Sequence, residues 1–408
     1  MRTRDETIAC SVGIDDDPAF GAVTPPIYLS ANYSFAGFRE PRAYDYTRSG
    51  NPTRDQLADA LAKLERGAGA VVTGSGMSAI HLVLSLVPTG ALVMAPHDCY
   101  GGTWRLLQAL HERKIIDLAF ADLTNPDALD AAFARRPFLV WVESPSNPLM
   151  RITDIRAVVA RAESVGALVA VDNTFLSPIL QKPLLLGAHF AVHSTTKYLN
   201  GHSDVLGGAV VAAGREHVEQ LAAWANCTGV TGAPFDAWLT LRGLRTLGIR
   251  IARQEETATA VARFLGRHSR VKAVHYPGLA THPGHDVARE QQYGFGGMLS
   301  FELEDDSAAR EVVSALKLLT LAESLGGVES LVCHPASMTH ACLSAEAKAA
   351  CGITPGLLRL SVGLEAKWDI VGDLAQALSV LDKEQHPVVT RITSQRRATG
   401  GGVARSVP

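Results

Sequence analysis

Short, unbroken apolar runs bounded by polar residues punctuate the middle of the chain, at 70–73, 92–95, 138–142, 168–171, 190–192 and 209–212. A run that is apolar at every position, rather than at alternate ones, marks a strand covered on both faces. Helical stretches separate these runs, so residues 61–253 read as successive βα units forming a mostly parallel sheet. Beyond 254 the pattern is mixed, with strand candidates at 298–301 and 357–362 among helices, which predicts a smaller α+β domain over 254–385. Residues 1–60 show little apolar periodicity and many turn formers, including Pro25-Pro26 and Ser49-Gly-Asn-Pro52, and read as an extended arm. The tail, 386–408, has no acidic residue, contains Ala398-Thr-Gly-Gly-Gly402 and is expected to be disordered.

The chemistry sits where the apolar runs end. Asp172 closes the run Ala167-Leu-Val-Ala-Val-Asp172, and Lys197 closes Ala191-Val-His-Ser-Thr-Thr-Lys197. In open α/β sheets ligands collect beyond the carboxyl ends of the strands, so both charges are expected to project into one crevice. A lysine and an acid meeting there suit pyridoxal phosphate: the amine takes the aldehyde and the carboxylate keeps the pyridine nitrogen protonated. Side chains alternate in an extended segment, so Ser194 and Thr196 point one way, towards a phosphate, and Lys197 the other.

A second anion site is written into Val71-Val-Thr-Gly74-Ser-Gly76-Met77-Ser-Ala79, a strand, a glycine turn and a helix start whose free N–H groups suit a phosphate. The segment also fits the loose dinucleotide pattern G-x-G-x-x-A, which raises a nicotinamide-dependent oxidoreductase as a rival. That fingerprint needs an acid on the next strand end. Asp98 is the rough candidate, yet the run Asp98-Cys-Tyr100-Gly-Gly better suits a loop covering a cofactor, and the rival leaves Asp172 and Lys197 unexplained. Tyr100 should hang over the strand ends, either stacking on a pyridine ring or packing as a structural tyrosine. Asn147, in Glu143-Ser-Pro-Ser-Asn147-Pro, serves either a cofactor ring oxygen or an ordinary turn. Arg359 lies in the apolar run Leu357-Leu-Arg-Leu-Ser-Val362, where a guanidinium must find an anion, a substrate carboxylate or an internal acid.

Composition removes several other classes. With 38 basic and 41 acidic residues the formal net charge is -3, so there is no basic field for nucleic acid or an anionic membrane. No apolar run reaches membrane-spanning length, and Met1-Arg-Thr-Arg-Asp-Glu lacks the apolar core of a signal peptide, so a cytoplasmic placement is expected. The six cysteines are scattered without a CxxC pair, and the cluster Cys333-His334 with His340-Ala-Cys342 fits no metal spacing. No metal is expected.

Longer stretches carry a family resemblance from about Thr7 to Leu381. They are Tyr46-Thr-Arg-Ser-Gly-Asn-Pro-Thr-Arg54, Ala95-Pro-His-Asp-Cys-Tyr-Gly-Gly102, Val171-Asp-Asn-Thr-Phe-Leu-Ser-Pro178, His193-Ser-Thr-Thr-Lys-Tyr-Leu-Asn-Gly-His-Ser-Asp204 and Leu321-Ala-Glu-Ser-Leu-Gly-Gly-Val-Glu-Ser330. Through them the chain resembles the Cys/Met-metabolism family of pyridoxal-phosphate enzymes, within it the cystathionine γ-synthases. The resemblance implies the aspartate-aminotransferase-like fold (fold type I). It implies Lys197 as the Schiff-base lysine, Asp172 as the pyridinium partner, Tyr100 as the stacking ring, and Gly76, Met77, Ser194 and Thr196 as phosphate ligands. Tyr46 and Arg48 would reach the phosphate of a neighbouring subunit in a homotetramer of catalytic dimers. Arg359 would grip the substrate α-carboxylate, with Ser324 nearby.

Subfamily rests on fewer positions. Asp45 and Glu323 match acids found in synthases and γ-lyases, whereas β-lyases carry apolar or aromatic residues there, and Arg105 and Asn226 match synthase positions near the acyl end. Ser49 stands where the synthases carry a second arginine, which leaves O-acetylhomoserine open beside the O-succinyl ester. The stretch Gly363-Leu-Glu-Ala-Lys-Trp-Asp369 also departs from the family's acidic run. The implied reaction is γ-replacement of an O-acyl-L-homoserine by L-cysteine, giving cystathionine. A cystathionine γ- or β-lyase, or an O-acylhomoserine sulfhydrylase, is the alternative.

Overall fold

The computed structural model describes residues 3–383 apart from Cys342, so the predicted tail at 386–408 lies outside the described residues. Seven strands build the large sheet: β1 (Gly69–Thr73), β2 (Leu92–Pro96), β3 (Asp117–Ala121), β4 (Leu139–Glu143), β5 (Leu168–Asp172), β6 (Phe190–His193) and β7 (Gly208–Ala212). Their order is β1-β7-β6-β5-β4-β2-β3, and every pairing is parallel except the two that β7 makes. The β4 and β7 strands are buried at every position, which explains their continuous apolar runs. The β3 strand escapes that pattern because it lies at the sheet edge and is only half-buried.

Helices cover both faces of this sheet and are started by local chemistry. Asn51 accepts the backbone N–H groups of Thr53 and Arg54 at 3.0 and 3.3 Å, and Pro52 follows in the first turn, so the helix Pro52–Glu65 starts there. Ser75 caps the helix Gly76–Leu84 by accepting from the Ser78 N–H at 3.1 Å. The predicted limits at 60 and 253 both fall inside helices, Pro52–Glu65 and Leu247–Leu265. Within the arm, residues Asp5–Ser11 form a short helix that buries Ala9 against the core.

The second sheet has five strands: β8 (Ala273–His275), β9 (Met298–Glu302), β10 (Thr320–Leu321), β11 (Leu331–Cys333) and β12 (Leu357–Ser361). Its order is β10-β11-β12-β9-β8, antiparallel except for β10 against β11. The β9 and β12 strands were legible as apolar runs; β8, β10 and β11 are two or three residues long, too short to show a period. Residues Ala258, Leu299, Phe301, Leu358 and Ile370 form a separate apolar core beneath this sheet. The two sheets meet at the crevice beyond the carboxyl ends of β4, β5 and β6. No helix among the described residues is long and apolar enough to cross a membrane.

Candidate active site

A cleft of about 970 Å³, including its open mouth, lies at those strand ends and at the margin of the second sheet. Lining it are Gly76, Met77, Tyr100, Asn147, Asp172, Ser194, Thr196, Lys197, Glu323, Ser324 and Arg359, all of them singled out in the sequence. The parallel sheet supplies the first eight. The second sheet and its loops supply the last three.

Lys197 donates from Nζ to Ser324 Oγ at 2.7 Å. Burial brings its amine down from the ordinary 10.5 to about 8, helped by the Arg359 charge and opposed by Glu323. An amine so placed has a neutral fraction near physiological pH far above that of an ordinary lysine and can act as nucleophile or base. Ser324 holds a left-handed backbone, with φ of 82°, unusual for a residue with a side chain. That conformation lets one residue serve two partners: its hydroxyl takes the Lys197 amine and its carbonyl accepts from Arg359 Nη2 at 3.1 Å.

Arg359 is buried in the middle of β12, and its Nη1 donates to Asn147 Oδ1 at 2.8 Å. No carboxylate pairs with it among the described residues. The internal-acid reading is therefore set aside: the guanidinium is steadied by neutral oxygens and keeps its charge for an anion entering the cleft. Asn147, for its part, is occupied with Arg359.

Asp172 ends β5 directly beside Glu143, which ends β4. Burial pushes the Asp172 carboxyl upward, against hydrogen bonds from Thr174 and the pull of His193. The Thr174 N–H donates to Asp172 Oδ1 at 3.0 Å, and the Thr174 hydroxyl accepts the Ser194 N–H at 2.9 Å, so one threonine links the acid to the hydroxyl-bearing turn. Burial, then the Asp172 charge, holds Glu143 well above the usual carboxylate range. Two adjacent carboxyls with that bias settle as one anion and one acid, and Asp172, which His193 draws down while neighbouring charges push Glu143 up, is the anion.

Glu143 was missed by the sequence reading, although it ends an apolar run just as Asp172 does. It accepts the Tyr100 N–H at 2.8 Å and so seats the ring at the cleft mouth. Burial also raises the Tyr100 phenol, with Arg105 opposing and Glu323 and Glu143 reinforcing. Thr174 and Thr339 also line the cleft and carried no sequence signal beyond being hydroxyls.

One end of the cleft is marked by close backbone approach. A Cβ on Gly76 would meet the Ser194 Cβ at 2.8 Å, so only glycine lets the start of the helix Gly76–Leu84 reach the Ser194 turn. Thr196 faces the same turn and exchanges bonds with Gly207, accepting its N–H at 2.9 Å.

Five predicted residues lie elsewhere. Asp45, Tyr46 and Arg48 are exposed on the arm, with the Arg48 guanidinium 5.3 Å from the Tyr46 ring centroid. Asn226 is exposed on the helix Arg215–Thr228 and accepts from Arg48 Nε at 3.1 Å. Arg105 is exposed on the helix Gly101–Glu112, close enough for its charge to act on Tyr100. None of the five lines the cleft within this chain.

Residues 6–379 match the family model described as Cys/Met metabolism PLP-dependent enzyme. The chain belongs to this family. Its cofactor is therefore pyridoxal phosphate, and the Cys/Met-metabolism chain is an enzyme. A cystathionine gamma-synthase of Escherichia coli strain K12 is 52% identical over 94% of this chain and 100% of its own length. A cystathionine beta-lyase of Lactococcus lactis is 44% identical over 90% of this chain and 96% of its own. Among solved structures, cystathionine gamma synthase from Xanthomonas oryzae pv. oryzae in complex with aminoacrylate and cysteine superposes with a TM-score of 0.93. It shares 58% identity across 94% of this chain and 100% of that one. The site suits the cofactor on its own terms: a glycine-lined anion cradle, a half-buried carboxylate and a lysine of lowered pKa stand around one cleft.

Proposed function

We propose that this enzyme catalyses γ-replacement: the acyl group of an O-acyl-L-homoserine is exchanged for L-cysteine, giving L-cystathionine and the free acid. The observation that carries the reading is the Lys197–Ser324–Arg359 arrangement, an amine near pKa 8 beside an unneutralised guanidinium, in a chain so similar to cystathionine synthases. When bound, pyridoxal phosphate supplies an electron sink at the substrate's α-carbon. Lys197 and Asp172 hold the aldehyde end and the ring nitrogen, while Gly76, Met77, Ser194 and Thr196 hold the phosphate.

Arg359 receives the substrate α-carboxylate through its bidentate face and sets the α-carbon in reach of Lys197. Once the substrate's own amine has displaced it from the aldehyde, the Lys197 amine accepts the α-proton and returns it late in the cycle. Ser324 keeps that amine on the substrate side. Tyr100, held by Glu143, closes the mouth and assists proton movement. The Cγ–O bond breaks with departure of the acyl carboxylate, and the cysteine thiolate forms the Cγ–S bond. Glu323 at the rim receives the distal ammonium together with Asp45 from the arm of a neighbouring subunit, and Arg105 and Asn226 are assigned to the acyl end.

The arm completes the site of a second subunit. Tyr46 and Arg48 stand exposed and outside their own cleft, as donors to a neighbour's phosphate must, and the assembly is a homotetramer of catalytic dimers. The enzyme works in the cytoplasm, where a thiol substrate and its own free cysteines stay reduced. We infer three folded parts: the arm to about residue 60, the cofactor-binding domain to 253 and the α+β domain to 385.

The test is incubation of the purified enzyme with O-succinyl-L-homoserine, with and without L-cysteine, and product identification by mass spectrometry. Cystathionine formed only with cysteine supports the synthase and shows that Ser49 tolerates the succinyl group. Formation of 2-oxobutyrate in place of cystathionine, from either ester, overturns it in favour of a lyase.

A further inference from the structure

Behind the crevice floor lies a buried polar bracket that the chemistry above does not use. Glu65, the last residue of the helix Pro52–Glu65, is fully buried, as are Asn173 and His193. A single oxygen, Glu65 Oε1, accepts from Asn173 Nδ2 at 2.7 Å and meets His193 Nε2 at 2.7 Å. Asn173 is locked further by Gln181, donating to its carbonyl at 2.8 Å and accepting its Nε2 at 3.1 Å. None of the four residues lines the cleft.

Their places in the chain give the bracket its meaning. Asn173 directly follows Asp172, and His193 directly precedes Ser194. Parallel pairing already joins β5 to β6 up to Asp172 opposite Val192, and the Asn173 N–H reaches the Val192 carbonyl at 2.9 Å. Beyond that point the ladder ends, just where the ring-nitrogen acid and the phosphate turn begin. The Glu65 carboxylate takes over there, tying the next residue of each strand to one atom. A buried carboxylate is costly unless donors satisfy it, and Glu65 Oε2 has no partner, so packing alone is a poor reason for an acid here.

We infer that Glu65 is a positioning residue for the cofactor: through Asn173 and His193 it fixes the spacing between Asp172 and the Ser194–Lys197 turn. Constellations of this kind lose function when their supports slacken by a fraction of an ångström. The inference rests on the cofactor-site reading above.

The test compares the holoenzyme with Glu65→Gln, Glu65→Leu and His193→Phe. For each, visible absorbance of the bound cofactor, the Kd for pyridoxal phosphate after resolution and reconstitution, and the melting temperatures of apo- and holoenzyme are measured. Glu65→Leu should raise Kd about tenfold or more, since it removes both contacts that Oε1 makes. His193→Phe should act in the same direction and Glu65→Gln less, since the amide oxygen still accepts. The stabilisation that cofactor adds should shrink in step, and kcat should fall more than KM. Equal falls in apo and holo melting temperature, with Kd unchanged, would reduce Glu65 to core structure and overturn the inference. Should Glu65→Leu fail to fold, His193→Phe and Glu65→Gln decide in the same way. A wild-type protein that binds no pyridoxal phosphate would remove the site reading itself, an outcome separate from wild-type binding that Glu65 does not influence.

Discussion

The crevice and the N-terminal arm hold similar residue types, yet they stand in opposite physical states. In the crevice the charges are withdrawn from solvent and held by neighbours: Lys197 by Ser324, Arg359 by Asn147 and Ser324, Asp172 by Thr174. On the arm, Asp45, Tyr46 and Arg48 are exposed, and the flanking Phe20 and Phe38 are 93% and 90% exposed. Burial turns the crevice groups into chemistry by shifting their proton affinities. The arm's groups keep solvent on one side, and such large apolar rings at the surface mark a contact with another molecule. A crevice residue should therefore act on its own active site, and an arm residue on its neighbour's.

The largest effect is expected at Lys197. Lys197→Ala should lower turnover about a thousandfold or more and remove the visible absorbance of the lysine-bound cofactor, read by spectrophotometry and a cystathionine assay. Unchanged activity would sink the assignment. Asp172→Ala should lower kcat about a hundredfold to a thousandfold, because the acid we propose for the pyridinium is gone. Arg359→Leu should raise KM for the acylhomoserine about a hundredfold in steady-state kinetics, the loss expected for a bidentate carboxylate partner.

Arg48→Ala separates the two regions directly. Alone it should weaken cofactor retention about tenfold, the scale of one phosphate contact. Mixed with inactive Lys197→Ala and allowed to exchange subunits, it should regain activity, since each mixed pair then holds one intact site. If the arm served its own chain, mixing would restore nothing.

The smallest effect is in pH. Free pyridoxal phosphate should be taken up by the apoenzyme with a rate that climbs through a midpoint near pH 8, as the Lys197 amine loses its proton. An ordinary lysine would show no plateau until above 10. The linked stability follows the same sign. The unfolded chain binds the proton more tightly, so this group's burden on the apoenzyme is full below about pH 8 and is lifted as pH rises towards 10.5.

Legibility in the sequence followed locality. Asp172 and Gly76 could be found because one closes an apolar run and the other opens a capped helix. Ser194, Thr196 and Lys197 were found just past a strand end, although the extended alternation expected there gives way to a turn in which the Lys197 N–H donates to the Ser194 carbonyl at 3.2 Å. Glu143 carried the same signal as Asp172 and was passed over, since its run leads into Ser-Pro-Ser-Asn-Pro and draws attention to the turn. Glu65 gave none: an acid at a helix end reads as a solvated surface residue until the fold buries it. Arg359 was recognisable as a buried charge, but whether its partner was an acid or a ligand could not be read from β12.

The sequence by itself determined most strands of the large sheet, the strand ends at which charges appear, and the family, because periodicity, caps and motif spacing are properties of short stretches. Tertiary structure decided which of those ends meet. Ser324 reaches Lys197 across 127 positions, and Arg359 reaches Asn147 across 212. Tertiary structure also shifted the protons, since a pKa responds to the solvent removed and the charges brought near, and neither exists until the two sheets close on one another.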